Sequence, residues 1–373
     1  MKIIFVTWEG YDFAGPRLRC YGFSEEFKKR NIDSNVFSFI DNLGSREKYL
    51  ESNLTLREKF NLLLRNMPYL LKEEKCIFVV SRINYHIFPS WLSSFLRKTS
   101  YVFDMDDWEF REDIGYYFKI FPKSKAEYLT RIFSCHSKFC IAASHYLKEY
   151  LSQFNKKVYF IPTGVDTTRF KPKNFYKNEN VVFSWHGLIS RKEVVNYLKF
   201  IIECFLIVNK EIKNTQLWIK GTGTFIKDFL NIFKKYKNEN IKYFAWSHPD
   251  DIPFYLDKVD IGLFPLLDKT HFNLSKCPVK VLEYMAKKIP VIASRIGEVR
   301  YIITSNYDGF LADLRDARDA FIYYMLKLAK ESSLREIMGE NAHQKVREYY
   351  SLNKLGEKLY NIFKENFGEK IYF

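Results

Sequence analysis

Glu283 lies one helical turn beyond Lys280 in the run Asn273-Leu-Ser-Lys-Cys-Pro-Val-Lys-Val-Leu-Glu-Tyr-Met-Ala-Lys-Lys-Ile-Pro-Val-Ile-Ala-Ser294. Read locally, a loop gives way to a helix opening near Pro278 and then to a buried strand over 290–294. Proline fits a first helical turn, because its missing N–H would have had no helical partner there. Leu282, Met285, Ala286 and Ile289 recur at helical spacing and supply the core-facing stripe. Lys280 and Glu283 then share another face, beside the helix start. The free N–H groups and positive end of a helix attract phosphate. A carboxylate one turn further in can accept two hydroxyl hydrogen bonds. The spacing therefore suits a nucleotide, with diphosphate at the helix tip and ribose on Glu283. The plainer alternative is an exposed ion-pair residue between Lys280 and Lys287, worth about 0.3–0.5 kcal/mol. Spacing alone leaves both readings open.

The same stretch resembles the signature of retaining GT-B glycosyltransferases of family 4 (glycosyl transferases group 1). That pattern is Glu, seven residues, Glu, then a small-residue helix and Pro-Val-(Ile/Val)-Ala. Glu283 matches the second Glu; Tyr284-Met285-Ala286 matches the small-residue helix and Pro290-Val291-Ile292-Ala293 the closing strand. Ser275 stands where the family has its first Glu, and Cys277-Pro278 replaces its Phe-Gly. In family members the second Glu holds the ribose and the first contacts donor-sugar hydroxyls. The resemblance thus implies a ribose role for Glu283 and puts Ser275 at the sugar position. It also implies an α/β fold of the GT-B type: two doubly wound Rossmann-like domains facing a central cleft, with the C-terminal helix crossing back to the first domain. The implied activity is a retaining, metal-independent hexosyl- or glycosyltransferase with no cofactor. It would move a sugar from a nucleotide diphosphate sugar to a glycan, lipid-linked or other acceptor.

Further residues fall into place beside that resemblance. Such a transfer releases a diphosphate, so cations must take up developing charge. Arg offers a fork for two phosphate oxygens and Lys a point charge. In relatives a glycine-led loop presents both, which assigns Gly187 to donor binding and Arg191 and Lys192 to the catalytic set. A basic helix start on the surface is the alternative. Val279 and Lys280, at the tip of the Glu283 helix, belong to the donor set. In open α/β folds ligands bind outside the carboxyl ends of strands. The loop after the first strand carries Gly15, which lets backbone approach the donor, and Arg17, which can reach its phosphates. Trp246 sits at another strand end, where relatives recognise the base; it either stacks there or packs in the core. Lys220-Gly-Thr-Gly-Thr224 is a weak glycine signal that shapes the cleft in relatives. Asp104-Met-Asp106 follows an apolar strand, as in GT-A enzymes that hold Mn²⁺ or Mg²⁺. In GT-B relatives this strand end borders the acceptor and reacting carbon, so Asp104 and Asp106 join Arg191 and Lys192 in the catalytic set, as groups able to bind acceptor hydroxyls, with no metal. His145 reads as a helix-start residue. Two rivals remain: a degenerate GT-B protein that binds nucleotide sugar or a partner without turnover, for which Ser275 is the main support, and a metal-dependent Asp-x-Asp transferase.

These residues need elements to hold them. Apolar runs suited to buried parallel strands occur at 3–7, 35–40, 76–80, 101–104, 139–143 and 158–162, with helical spacing over 16–30, 56–65 and 125–133. The alternation restarts with strands at 181–188, 216–221, 241–245, 261–266, 291–293 and 310–311, and with helices at 193–208, 225–236, 317–330, 334–350 and 352–367, the last capped by Ser351. Between the two series, Pro162-Thr-Gly-Val-Asp166…Phe170-Lys-Pro172 resembles the family's inter-domain segment, and 171–180 reads as a linker. The expected organisation is an acceptor-side Rossmann-like domain over 1–170, a nucleotide-sugar-binding one over 171–350, and a returning helix over 351–373.

Composition narrows the class. The 373 residues suffice for two cores, and 47% hydrophobic residues is ordinary for a globular chain. No apolar run reaches the ~20 residues that span a bilayer. Lys2 and a strand follow Met1 directly, leaving no room for a signal peptide, so the expectation is a cytoplasmic protein. The six cysteines show no C-x-x-C pairing and read as buried thiols. The net charge of +15 is spread along the chain. It fits a solvated basic surface or, given relatives that use lipid-linked acceptors, peripheral attachment to an anionic membrane surface on its inner face. No nucleic-acid motif accompanies it.

Overall fold

The computed structural model describes residues 1–41, 55–83, 86–97, 99–108, 110, 116–117, 121–122, 125–173, 179–236 and 238–368. Fourteen strands run in chain order among them: β1 Lys2–Thr7, β2 Ser34–Ser38, β3 Cys76–Ser81, β4 Ser100–Met105, β5 Tyr116–Tyr117, β6 Phe121–Pro122, β7 Cys140–Ala142, β8 Val158–Phe160, β9 Val181–Leu188, β10 Thr215–Thr222, β11 Ile241–Ala245, β12 Ile261–Phe264, β13 Val291–Ser294 and β14 Gly309–Ala312. Apart from the short antiparallel β5–β6 pair, they form two six-stranded sheets, ordered β2-β1-β3-β4-β7-β8 and β11-β10-β9-β12-β13-β14. Every ladder in both is parallel. Strands such as Cys76-Ile-Phe-Val-Val-Ser81 are buried on both faces because helices cover both, as doubly wound sheets require.

Two compact units carry these sheets. The first comprises Met1–Asp166, Thr270–Cys277 and Tyr350–Phe373, and the second Thr167–Lys269 and Pro278–Tyr349. In the first, the helix Leu352–Phe367 buries Leu355, Leu359 and Phe363 with Phe5, Phe27 and Phe139. Phe363 meets Phe27 and Phe139 edge-on at centroid distances of 5.1 and 5.4 Å. The Ser351 hydroxyl caps this helix by accepting from Lys354 N–H. The terminal helix therefore does return to the first sheet. In the second unit, the helix Lys192–Glu211 lays Leu198, Ile201, Ile202 and Phe205 against Phe183 and Leu217 of the sheet.

The structure departs from expectation at several points. The stretch before Pro278 holds a short helix, His271–Ser275, capped by the Thr270 hydroxyl; five residues are too few to show a period. The first helix is broken into Ala14–Pro16, a π-helical turn Arg17–Gly22 and Phe23–Lys28. π-Turns are rare and cluster at functional sites. The helix Leu56–Lys72 runs past its expected end, through Pro68. Five cysteines are buried, but Cys135 is exposed. Residues 174–178 of the expected linker lie outside the described residues. Among the described residues no helix is long and apolar enough to cross a membrane.

Candidate functional site

In the second sheet the strand order reverses between β9 and β12, and open α/β sheets bind ligands outside the carboxyl ends of strands at such a point. There β9 ends in Trp185-His186-Gly187-Leu188. Gly187 has φ +146°, where a side chain would be strained, and a Cβ on it would lie 2.3 Å from Lys280 Nζ. Lys280 comes from the first turn of the helix Val279–Ala286. Its ammonium stands 4.0 Å from the Trp185 ring centroid and 5.9 Å from that of Phe264. Cation–π attraction holds it at the strand end.

One turn further in, Glu283 is only 7% exposed. Its Oε2 lies 2.8 Å from His186 Nε2. His186 Nδ1 in turn lies 2.9 Å from the Tyr284 hydroxyl, which is 2.9 Å from the Ser184 carbonyl. Burial pulls His186 below the usual histidine value, with the Glu283 contact opposing. Lys287 is engaged elsewhere, 2.5 Å from Asp257. Glu283 is thus a buried, oriented carboxylate, and the exposed ion-pair alternative does not hold.

Arg191 and Lys192 stand at the start of Lys192–Glu211: Arg191 is the half-buried N-cap residue and Lys192 is exposed. The loop that carries them is pinned to the turn after β10. Ile189 N–H donates to Thr222 O, and Phe225 N–H donates to Ile189 O. Gly223, at φ +141°, lets the two backbones meet, since a Cβ there would lie 2.7 Å from Ile189. Gly187, Val279, Lys280 and Glu283 are brought together. Trp246 is half-buried just past the end of edge strand β11, two strands from β9 in the same sheet.

The remaining candidates lie in the first unit. Asp104 is buried, and Arg19 grips both of its oxygens, Nε at 2.8 Å and Nη2 at 2.5 Å. Burial pushes the Asp104 carboxyl up, while Arg19 pulls it back. Arg19 also donates to the Ile161 carbonyl, so this pair ties the π-turn to the sheet. Asp106 is held the same way by Arg82, Nε at 2.6 Å and Nη2 at 2.9 Å. Against burial, which raises it, Arg82 holds Asp106 below the usual carboxylate range. Arg82 has φ +64°, a left-handed conformation uncommon for such a residue and one that clusters at functional sites. Gly15 backs directly onto this pair: a Cβ would sit 2.8 Å from Asp106 Oδ2 and 2.9 Å from Arg82 Nη2. Arg17 turns onto its own loop, donating to the carbonyls of Tyr11 and Asp12. Ser275 is fully buried; its hydroxyl donates to Phe272 O and accepts from Trp108 N–H at 3.1 Å. Ser275 and Glu283 therefore belong to different units. His145 opens the helix His145–Leu151, as expected. Among the described residues no group of three or more His, Cys, Asp or Glu side chains could hold a metal ion.

Sequence reasoning missed His186, Tyr284, Arg19 and Arg82. Two left a signal: His186 is a polar residue inside a largely apolar strand run, and Arg82 follows directly on a fully buried strand.

Residues 165–345 match the sequence model of the family described as "Glycosyl transferases group 1". Among curated proteins, the chain is 24% identical over 221 residues to an Escherichia coli UDP-Gal:alpha-D-GlcNAc-diphosphoundecaprenol alpha-1,3-galactosyltransferase, covering 56% of this chain and 54% of that one. It is 24% identical to the Staphylococcus aureus capsular polysaccharide biosynthesis glycosyltransferase CapM, over 52% of this chain and 49% of that one. The chain thus spans about half the length of these curated relatives. Among solved structures, Anabaena Alr3699/HepE in complex with UDP aligns with a TM-score of 0.69 at 12% identity, over 98% of this chain and 100% of that one. The pneumococcal O-GlcNAc transferase GtfA in complex with UDP and GlcNAc aligns with a TM-score of 0.74 at 10% identity, over 98% and 99%. Together with the two parallel sheets, these likenesses establish a GT-B fold.

Proposed function

We propose that this chain, whose residues 165–345 belong to the glycosyl transferases group 1, moves a hexose from a uridine diphosphate sugar to a glycan or lipid-linked acceptor, with retention of configuration and without a metal ion. The observation that carries the reading is Glu283: a buried carboxylate held by His186, one turn inside a helix whose tip bears Lys280. It accepts the ribose hydroxyls. Gly187, the Val279 end of the helix, Lys280, Arg191 and Lys192 receive the diphosphate and the charge that develops as it leaves. Uridine is favoured because the E. coli relative is named for UDP-Gal and the HepE and GtfA structures contain UDP. Retention follows from same-face attack, in which the departing diphosphate helps deprotonate the acceptor hydroxyl.

In the first unit Asp106, facing Gly15, is the acceptor-side candidate. Asp104, whose partner Arg19 is fully buried and tied to the Ile161 carbonyl whereas the Asp106 partner Arg82 is partly exposed, is assigned to holding the fold. The helix Leu56–Lys72 exposes Phe60, Leu64 and Tyr69 together with Arg57, Arg65 and Lys72. That mixture suits attachment to an anionic membrane carrying a lipid-linked acceptor, in a cytoplasmic protein. A thermal-shift screen with UDP-glucose, UDP-galactose, GDP-mannose and ADP-glucose, followed by turnover with and without acceptor, tests the reading. UDP-hexoses should raise Tm by linkage, and activity in EDTA should fall less than about twofold, since protein cations carry the charge that a metal would. A tenfold loss restored by Mn²⁺ would move the reaction to the Asp104–Asp106 alternative. Binding without any turnover would mark a degenerate member.

A further inference from the structure

We propose that His186 is the positioning residue of this site: its Nε2–H fixes the Glu283 carboxylate for the ribose diol, and Tyr284 fixes His186. The inference rests on the ribose reading of Glu283 given above. A glutamate left to itself samples many rotamers about three rotatable bonds, which works against simultaneous acceptance of two hydroxyls. Here the carboxylate is anchored from a different element. His186 stands on β9, a central strand of its sheet, and is itself buried.

The hydrogen-bond chain fixes where the protons go. A carboxylate only accepts, so the nitrogen 2.8 Å from Glu283 Oε2 carries the hydrogen. In a neutral ring Nδ1 is then the acceptor, and the Tyr284 hydroxyl donates to it. If the ring gains a proton, Nδ1–H donates to Tyr284 and the hydroxyl hydrogen turns to the Ser184 carbonyl, an equal 2.9 Å away. The same heavy-atom positions serve both states, so Glu283 stays held in each. Burial, with Lys280 from the helix and Lys220 from the neighbouring strand acting in the same direction, favours the neutral ring; Glu283 opposes them. Tyr284 is locked in turn. It is fully buried, and its ring leaves room only for glycine at 262, where a Cβ would come within 2.6 Å.

The test compares His186→Phe, which removes the donor, with His186→Gln, whose amide N–H lies near the position of Nε2. Titration calorimetry uses whichever of UDP, GDP and ADP binds wild type most tightly, alongside its 2′-deoxy counterpart. The readout is the ratio of the two Kd values. Wild type should prefer the ribose form at least about tenfold, as loss of a charge-assisted bond predicts. His186→Phe should bring the ratio to within about threefold of unity, and His186→Gln should restore most of it. A merely structural histidine would lower Tm and leave the ratio alone. Retained discrimination in His186→Phe overturns this inference and spares the ribose reading; no discrimination in wild type overturns both. Should His186→Phe fail to fold, ¹⁵N-histidine spectra of ligand-free wild type decide the point. They should show a slowly exchanging Nε2–H at His186 that is lost in Glu283→Ala. A proton confined to Nδ1 would refute the proposal.

Discussion

Replacing Glu283 by alanine separates a stability effect from a binding effect, and the structure sets the size of each. The residue is 7% exposed and its carboxylate accepts from buried His186. Its removal leaves a buried N–H without that acceptor, at a cost of about 1–3 kcal/mol. For a unit of this size each kcal/mol lowers Tm by roughly 2–4 °C, so ligand-free Glu283→Ala should melt about 2–12 °C below wild type. An exposed Glu–Lys pair would have left Tm almost unmoved. Binding loses more. Two charge-assisted bonds to the ribose are worth about 1.5–3 kcal/mol each, partly replaced by water, so UDP affinity should fall about 10- to 1,000-fold. Glu283→Gln keeps an oxygen for His186 but turns a donor toward the diol, so it should recover most of the Tm and little of the affinity. Scanning calorimetry without ligand and titration with UDP and 2′-deoxy-UDP supply both numbers. An unchanged Tm would show that the His186–Glu283 bond is not the buried contact described. A Glu283→Ala protein that still prefers the ribose form as strongly as wild type would refute the nucleotide assignment.

Two further outcomes are expected of the first unit. Arg19→Met strands the buried Asp104 carboxylate and should cost about 3–5 kcal/mol in urea unfolding, whereas the double variant Arg19→Met/Asp104→Leu should recover most of that loss; a double variant no more stable than the single would argue against the pair. His86 donates from Nε2 to the Ser81 carbonyl, and burial pushes it down to about 4 from an ordinary 6.5. The unfolded chain therefore takes up this proton first: stability is full above pH ~6.5 and falls as pH drops toward 4, by about 3 kcal/mol in all. His86→Leu should flatten that limb, and a slope unchanged in the variant would assign it to other groups.

How much of this could be read without coordinates differs by kind of information. Strand positions were legible because apolar runs such as 76–80 are buried on both faces, and the Glu283 helix because its stripe repeats every turn. The ends of the first helix were not, since a π-turn is set by Arg19 reaching Asp104 across |i−j| = 85, a contact with no local period. Ser275 shows a harder case. Its position in the motif suggested a sugar contact, yet its hydroxyl is committed to Phe272 O and Trp108 N–H inside the first unit. Spacing along the chain said nothing about which unit that segment joins.

His186 marks the limit most sharply. It meets Glu283 across |i−j| = 97, so no spacing rule could couple them. What the sequence did hold was an anomaly: a histidine at the end of a largely apolar strand, immediately before a glycine. A buried imidazole is costly unless both nitrogens are served. The strand keeps one there with another element supplying a proton acceptor on one side and a hydroxyl on the other. The adjacent pair Glu283-Tyr284, within the helix Val279–Ala286, provides both. Helix and strand thus satisfy each other's buried polar groups, and the carboxylate that satisfies the histidine is the one we propose to take the ribose.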